Sequence, residues 1–516
     1  EIFGYFVDSQ YIRVTKQKYT PSMNKDRQIV SELRNFFTES GCGLGTQRIM
    51  NVLGTINITE RQMAFEKKPN CKFTCAQVIQ MMILFPFFSV KNVANYIGSS
   101  LQPLFDCHKD IFYRVLSNER IDWRHILRYV NKKLAANIAV RSDARNSEYP
   151  TCMIVDDTDM PKTGRKGEML GRVFSHVDNR GNILGHKGLF LCRTDGRTQM
   201  LIDFTLLGEE GRVSSRPQGL SKKDIEARFK KVRDAESKVE KRKEEYFQDK
   251  ISSMKKMLNN ASIEHLGFDY LLVDSWFTCK EVVNYIRRKG SKSHLLGMIK
   301  MGKTKYTVAG EDMTARAIAS AMVRKKAVKY SRAHKFYYFE TDAIFAGKAV
   351  KLFFYRFGRK GEWKALLSTD TSLTPYKAYQ IYSMRWSIEV SFHECKSLLK
   401  LGKCQCRDFG SQIASISLNI LQYNLLSYVK RFESYETIGG LFREITAQTV
   451  ELSVTEKIWG LIQQLVSAIA DFFSADFDEI LTVKSNFFFN NFKKFSFQQI
   501  SAFCIQHKVG HFCYSL

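Results

Sequence analysis

The chain has 516 residues, of which 44% are hydrophobic and 25% charged, with only 8 prolines; this is globular composition with length for about three domains, and it excludes a wholly disordered, collagen-like or low-complexity protein. Lys and Arg number 79 against 52 acidic residues, a formal charge of +27. That excess points to a polyanionic partner, because basic surface gains affinity by releasing counterions condensed on phosphates.

The longest apolar run, QVIQMMILFPFFSV at 77–90, is too short to span a bilayer and is interrupted by Pro86. It reads as a buried helix, so no membrane partner is expected. The opening EIFGYFVDSQ has no basic region or cleavage site and no initiating Met, so no signal peptide is expected and a few N-terminal residues are expected to be missing. Twelve scattered cysteines suit a reducing cytoplasm better than a disulfide framework. Cys504, His507, His511 and Cys513 have the ligand types of a tetrahedral zinc site at an uncommon spacing; buried thiols and surface histidines are the alternative. Cys395, Cys404 and Cys406 lack a nearby fourth ligand.

Residues 25–145 carry helical periodicity. Trp123, Ile126, Leu127, Val130 and Leu134 form one stripe, Asp122 stands where an N-cap would, and Arg124, Arg128, Lys132 and Lys133 lie off the stripe. With HKDIFYRVL before it, the pair reads either as a DNA-reading helix-turn-helix or as a helical hairpin with a solvated basic face. From 150 to 300, short apolar runs at 152–155, 188–192, 200–207, 270–273 and 294–299 read as strands of an α/β sheet. Residues 221–256 hold 13 basic and 8 acidic residues without Gly or Pro and read as a solvated, salt-bridged helix. Residues 303–372 have β-type text with Gly-containing turns and predict an inserted antiparallel β-subdomain. After Thr374 and Pro375 a single long helix is expected to about Leu401, and 411–516 is helical and aromatic-rich, its Phe residues interleaved with Lys either stacking on bases or packing.

Chemistry gathers at strand ends. Asp156 and Asp157 close one apolar run and Asp274 another, and such acids are poorly solvated unless they hold something. On the expected long helix, Tyr382, Arg385, Glu389 and Lys396 fall within an arc of roughly 60°. Two Asp and one Glu from separate elements offer oxygen ligands to a divalent cation such as Mg²⁺ while leaving room for phosphates, and Arg385 beside them offers bidentate hydrogen bonds to phosphate.

The ordered pattern Y-x2-R-x3-E-x6-K at Tyr382, Arg385, Glu389 and Lys396, with VDDT followed by PKTG and then DSWF, resembles the bacterial insertion-sequence transposases of the DDE superfamily, in the insertion-sequence-four or YREK group. The resemblance covers about 150–430. It implies a ribonuclease H-like catalytic core with an inserted antiparallel β-subdomain, flanked by helical regions. It also implies cleavage of DNA and transfer of the 3′-OH ends into target DNA, with two Mg²⁺ ions, or Mn²⁺, held by Asp156, Asp274 and Glu389. Tyr382, Arg385 and Lys396 would contact phosphates near the cut. Trp276 would stack on a displaced base or pack as a core residue, and Lys162, with Arg165 and Lys166, would lie near DNA or in a solvated loop. Asp156 is favoured over Asp157 because the group reads Asp-x-Thr and Thr158 fits, although the two aspartates point to opposite sides of a strand.

The expected division is 1–148 for a helical, DNA-binding N-terminal region, 149–302 for the first part of the core and 303–372 for the insertion. Residues 373–410 would be the glutamate helix and 411–516 a C-terminal region for dimerisation or DNA contacts. The implied partners are double-stranded DNA, as terminal repeats and as target, and a second copy of the chain on that DNA, in the cytoplasm at the bacterial nucleoid. The alternative is a non-transposing nuclease or a catalytically silent DNA-binding protein on the same fold.

Overall fold

A computed structural model of the chain describes residues 44–449 except 64, 66–71, 100, 103–104, 141–148, 176–180, 212, 289 and 433–434. The candidate zinc cluster and the Phe- and Lys-rich run near the C-terminus lie outside the described residues.

The first described region is helical: α1 (Leu44–Ile56), α2 (Glu60–Met63), α3 (Cys75–Leu84), α4 (Asp110–Leu116) and α5 (Trp123–Val140). Helix α3 is the long apolar run. The Thr74 hydroxyl accepts the Gln77 N–H at 3.1 Å while the Thr74 N–H donates to the Gln77 side chain at 2.9 Å, a reciprocal cap that starts the helix. Ala76 to Leu84 are buried, and Pro86 sits in the tight turn Phe85–Phe88 that follows. Among the described residues no helix is long and apolar enough to cross a membrane. Helix α5 buries the expected stripe, and Asp122 accepts the His125 N–H at 3.0 Å. Its first turn differs from the expected solvated basic face. Arg124 is turned inward, 2.9 Å from Asp203 and 2.7 Å from Glu245, so the turn that a recognition helix would offer to base edges is engaged inside the protein.

Strands β1 (Cys152–Pro161), β2 (Gly171–Phe174), β3 (Asn182–Thr194) and β4 (Gln199–Leu207) precede three helices, α6 (Lys222–Glu226), α7 (Lys238–Tyr246) and α8 (Lys250–Ile263). Strand β5 (Tyr270–Val273), α9 (Lys280–Ile286) and β6 (His294–Ile299) follow. All the expected strands are present, and β2 is an addition. Strand β3 runs antiparallel to β1, β2 and β4, whereas β5 and β6 run parallel to β1. Met153, Ile154 and Val155 in β1 and Leu271, Leu272 and Val273 in β5 are buried on both faces, which is why these central strands read as continuous apolar runs.

The charged stretch 221–256 is not one solvated helix. It forms α6, α7 and the start of α8, and while many of its charges stay exposed, Arg233, Arg242 and Glu245 are drawn into the interior. The Arg233 side chain has no exposure and is bound by Glu168, Glu240 and Asp408 at 2.7, 3.2 and 3.0 Å. Burial of such a cation is tolerated only with paired, hydrogen-bonded acids, and two of these, Glu168 and Asp408, come from distant parts of the chain.

The β-rich stretch holds β7 (Lys305–Val308), β8 (Glu311–Thr314), helix α10 (Ala315–Arg324), β9 (Lys329–Ser331), β10 (Phe336–Phe345), β11 (Lys348–Phe357) and β12 (Lys364–Ser368). It is antiparallel as expected. A two-residue turn joins β10 to β11, with Ala346 and Gly347 both at positive φ, the geometry that matches strand twist. The stretch is not a separate sheet, because β12 pairs with β6 and extends the core into one sheet in the order β2-β3-β1-β5-β6-β12-β11-β10-β7-β8.

Two helices stand where one was expected: α11 (Pro375–Ser383), capped by the Thr374 hydroxyl, and α12 (Trp386–Ser397). At Met384 and Arg385 the backbone stays right-handed but its bonds shorten to i→i+3, Arg385 N–H donating to Tyr382 O at 3.0 Å and Ser387 N–H to Met384 O at 3.1 Å. Helix α13 (Phe409–Phe432) is buried from Phe409 to Val429 and packs on α5, α3, α1 and β4. It joins the N-terminal helices to the sheet. Asn424 accepts the Leu201 N–H at 2.8 Å and donates to Leu201 O at 2.8 Å, closing part of the open edge of β4.

Candidate active site

The site is built where β1 and β5 end beside α11 and α12. The pleat of β1 sends alternate side chains to opposite faces. Asp156 and Thr158 face α12, where Arg385 Nη1 reaches Asp156 Oδ2 at 2.8 Å and Lys396 Nζ reaches the Thr158 hydroxyl at 2.7 Å. Asp157 and Asp159 face the other way, toward Lys250 and Lys187. Lys250 is paired with Asp157, and Lys187 lies 3.5 Å from Asp159 and 4.0 Å from Asp157.

Arg385 sits at the helix break and bridges two of the expected acids, since its Nη2 also donates to Glu389 Oε1 at 2.5 Å. Asp274 follows β5 directly. Its Oδ1 accepts the N–H groups of Trp276 and Phe277 at 2.9 and 3.2 Å, which fixes the turn after the strand. Tyr382 donates to Val273 O at 3.2 Å, tying α11 to the residue before Asp274. Burial pushes the Tyr382 phenol up to about 12, so it is a neutral donor.

Burial also pushes the Asp156 carboxyl up to about 6, with smaller upward contributions from Asp157 and Asp274, against the opposing pull of Arg385 and the Asp157 N–H. A carboxylate that remains costly to ionise beside an arginine has room for further positive charge. The Arg385 guanidinium is held above its ordinary range: burial lowers it, and Tyr382, Asp156 and Glu389 outweigh that. Burial lowers the Lys396 ammonium.

The structure therefore brings Asp156, Glu389 and Arg385 into one cluster, with Asp274 close enough to affect the Asp156 charge. The Tyr382, Arg385 and Lys396 donors expected to meet phosphates are directed to partners within the protein. Trp276 is 46% exposed with the Lys250 ammonium 4.9 Å over its ring, so it is not a core residue. Lys162 differs from its expected place near DNA. Its ammonium donates to Gly402 O, Cys404 O and Gln412 Oε1 at 2.8, 2.7 and 2.7 Å, spending two N–H bonds on the loop between α12 and α13 and the third on the first turn of α13. Lys250 and Lys187 were not singled out by sequence. No spacing distinguishes Lys250 from the other cations of its charged run.

Asp156, Asp274 and Glu389 fit Mg²⁺ or Mn²⁺ in donor type, because all supply hard carboxylate oxygens. They are not gathered as a ligand set: among the described residues no three His, Cys, Asp or Glu side chains are grouped to hold a metal ion. Arg385 takes the position between Asp156 and Glu389.

Residues 172–425 match the family described as Transposase DDE domain. Over that span, just under half of the chain, the sequence is similar to a DDE-type transposase domain. The matched span includes Asp274, Tyr382, Arg385, Glu389 and Lys396 and starts after Asp156. No curated protein matches the chain. Among solved structures, the chain is similar to the piggyBac transposase in its cryo-EM synaptic complex with hairpin DNA, at 12% identity over 78% of each chain with a TM-score of 0.37.

Proposed function

We propose that the chain is a DNA transposase of the insertion-sequence-four, YREK type, which binds the terminal repeats of its element, cleaves phosphodiester bonds and transfers the 3′-OH ends into target DNA. The observation that carries this reading is the meeting of Asp156 from β1 with Glu389 from α12 on one guanidinium, beside Asp274 at the end of the adjacent parallel strand. The strand order β4-β3-β1-β5-β6 supports a ribonuclease H-like core, extended rather than accompanied by the inserted strands. The net charge supports double-stranded DNA as partner, and two ends cut together call for a dimer on that DNA, at the nucleoid of a bacterial cytoplasm.

Asp156, Asp274 and Glu389 would hold the divalent ions, which when bound stabilise the attacking and leaving oxygens of an in-line displacement. The chain's own groups position the DNA. Arg385 has the planar fork to grip two oxygens of one phosphate, Lys396 a point charge one strand-pleat further on, and Trp276 an exposed ring beside Asp274 for a displaced base. Tyr382 holds the end of β5 while it donates to Val273 O, and a phosphate contact would require it to exchange that acceptor.

The test is incubation with a DNA fragment carrying the element's ends, with Mg²⁺ or EDTA, beside a Glu389→Gln variant. End-junction cuts and joined products, both absent from the variant and from EDTA, are expected. Cuts without joining would make the protein a non-transposing nuclease. Equal binding with no cuts would make it a silent DNA-binding protein.

A further inference from the structure

A cavity of about 170 Å³ lies between α5, α7, α8, β4 and α13, and none of the candidate active-site residues lines it. That is room for a ligand of roughly benzene size, well below the roughly 300–1,000 Å³ of pockets for drug-sized molecules. Trp123, Phe204 and Ile413 supply apolar wall. The remaining lining is strongly cationic. Arg124 and Arg242 stand deep, with side chains 12% and 10% exposed. Lys238, Lys241 and Lys256 form an outer rim, each about half exposed, and Arg128 lies on the wall.

The acids nearby do not balance these groups. Only Asp122 and Glu245 share the lining, with Asp203 beside Arg124. Glu245 is committed to Arg124 through both oxygens, at 2.7 and 3.0 Å, and to Lys256 at 2.7 Å. Asp122 is committed to the His125 N–H and to Lys238, at 3.0 and 3.3 Å. Lys241 is held by Glu236 at 2.7 Å. Arg242 is consequently left 3.6 Å from Glu245 and 3.9 Å from Asp203, beyond good hydrogen-bond length, and its one short bond is to Phe204 O at 2.8 Å. The Arg128 Nε is buried with no hydrogen-bond partner. A guanidinium cannot shed its proton to relieve such a position, and a buried donor without an acceptor is costly. Positive charge is in surplus around a space lined by apolar rings, where Arg128 Nε lacks an acceptor and, beside Arg124, Asp203 Oδ2 lacks a donor.

We propose that this cavity binds a phosphate-type oxyanion, gripped by Arg128 and Arg242 and admitted past the rim of Lys238, Lys241 and Lys256. Planar forks suit a tetrahedral oxyanion with several acceptor oxygens. The volume excludes a nucleotide, so the occupant is either a free anion such as pyrophosphate or one phosphate presented from the backbone of bound DNA. The free-anion arm holds whether or not the chain transposes DNA.

The experiment titrates the full chain with inorganic pyrophosphate, with sulfate and chloride at matched ionic strength as controls, and reads the thermal midpoint and calorimetric affinity. The same titrations are made on Arg128→Gln, and both proteins are titrated with duplex DNA over a range of salt. A midpoint raised by pyrophosphate beyond the salt controls, with affinity about tenfold weaker in Arg128→Gln as expected for one charge-assisted bond, supports a free-anion site. No response to pyrophosphate, but a DNA salt slope reduced by about one contact in the variant, supports a backbone phosphate. Pyrophosphate acting no differently from sulfate and chloride, with unaltered DNA binding in Arg128→Gln, overturns the proposal. Should Arg128→Gln not fold, Arg128→Lys keeps the charge and removes the fork. Wild-type indifference to pyrophosphate, with DNA binding unaltered in Arg128→Lys, overturns the proposal equally.

Discussion

Glu245 holds together the interior charge cluster of α5, α7 and β4, and Glu245→Gln should show what that cluster contributes. Burial alone would raise this carboxyl. The Arg242 charge, with the hydrogen bonds and charge of Arg124 and a bond from Lys256, reverses that and brings it from 4.5 down to about 2. A depression of that size, at about 1.36 kcal/mol per unit, corresponds to about 3 kcal/mol favouring the ionised, folded form. Gln keeps the shape and removes the charge, leaving Asp203 to face Arg124 and Arg242. The Arg242 guanidinium is already down to about 10 through burial and the neighbouring Arg124, so there is little spare negative charge to absorb the loss. Because the folded value lies below the unfolded one, the stabilisation is complete above about pH 4.5 and fades as pH falls toward 2. Urea unfolding followed by tryptophan fluorescence should place the variant about 3 kcal/mol below the parent at pH 7, near the range of about 3–5 kcal/mol for breaking a buried pair. The gap should narrow at pH 3.5. A gap under about 1 kcal/mol at pH 7, or one that does not change with pH, would refute the reasoning, since a Gln that merely packs badly costs the same at either pH.

Lys162→Met should lower stability by about 1–3 kcal/mol by taking the lysine donor from Gly402 O and Gln412 Oε1, while Cys404 O keeps Gln412 Nε2, with DNA affinity unchanged; a reduced salt slope in DNA titration would instead put this lysine on the DNA. Thr158→Val should release the Lys396 ammonium and slow end cleavage several-fold while end binding, read by gel shift, stays the same; an unaltered rate would show that this hydrogen bond does not position Lys396 for the reaction. Trp276→Ala should leave the unfolding midpoint within about 0.5 kcal/mol of the parent, as for an exposed residue, yet impair end processing. A large stability loss would mark it as a packing residue after all.

The parts legible in the sequence are those whose signal is local and repeated. Five strands were readable because each is an apolar run buried on both faces, and α5 because its stripe keeps helical spacing. Strand β2 was not, since Gly171–Phe174 alternates buried and exposed residues over only four positions and looks like loop text. Nothing announces the helix break at Met384 and Arg385, where neither Pro nor Gly occurs and the backbone stays right-handed. The continuity of the sheet depends on β12 meeting β6, a pairing that no local pattern encodes. Composition likewise could not tell a solvated charge run from a buried one. Whether Arg233 is exposed depends on Glu168 and Asp408, which lie far from it in sequence.

The run VDDTD shows how one short strand serves two tasks. With a side-chain period of two, Asp156 and Thr158 are delivered to the α12 face and Asp157 and Asp159 to the opposite face. On the first face the partners are Arg385 and Lys396, two cations of the same helical pattern. On the second they are Lys250 and Lys187, with the Lys250 ammonium also over the ring of Trp276. A one-residue slip of β1 against β3 would exchange the faces and put Asp157 against Arg385. The ten-residue antiparallel register from Cys152↔Thr194 to Pro161↔Gly185 opposes that slip. At its far end, a Cβ at Gly185 would lie 2.3 Å from Met160 O, so a glycine suits the position where the β1 backbone comes this close. Which of the two adjacent aspartates faces α12 is thus set by the pairing of β1 and β3, well away from the carboxylates themselves.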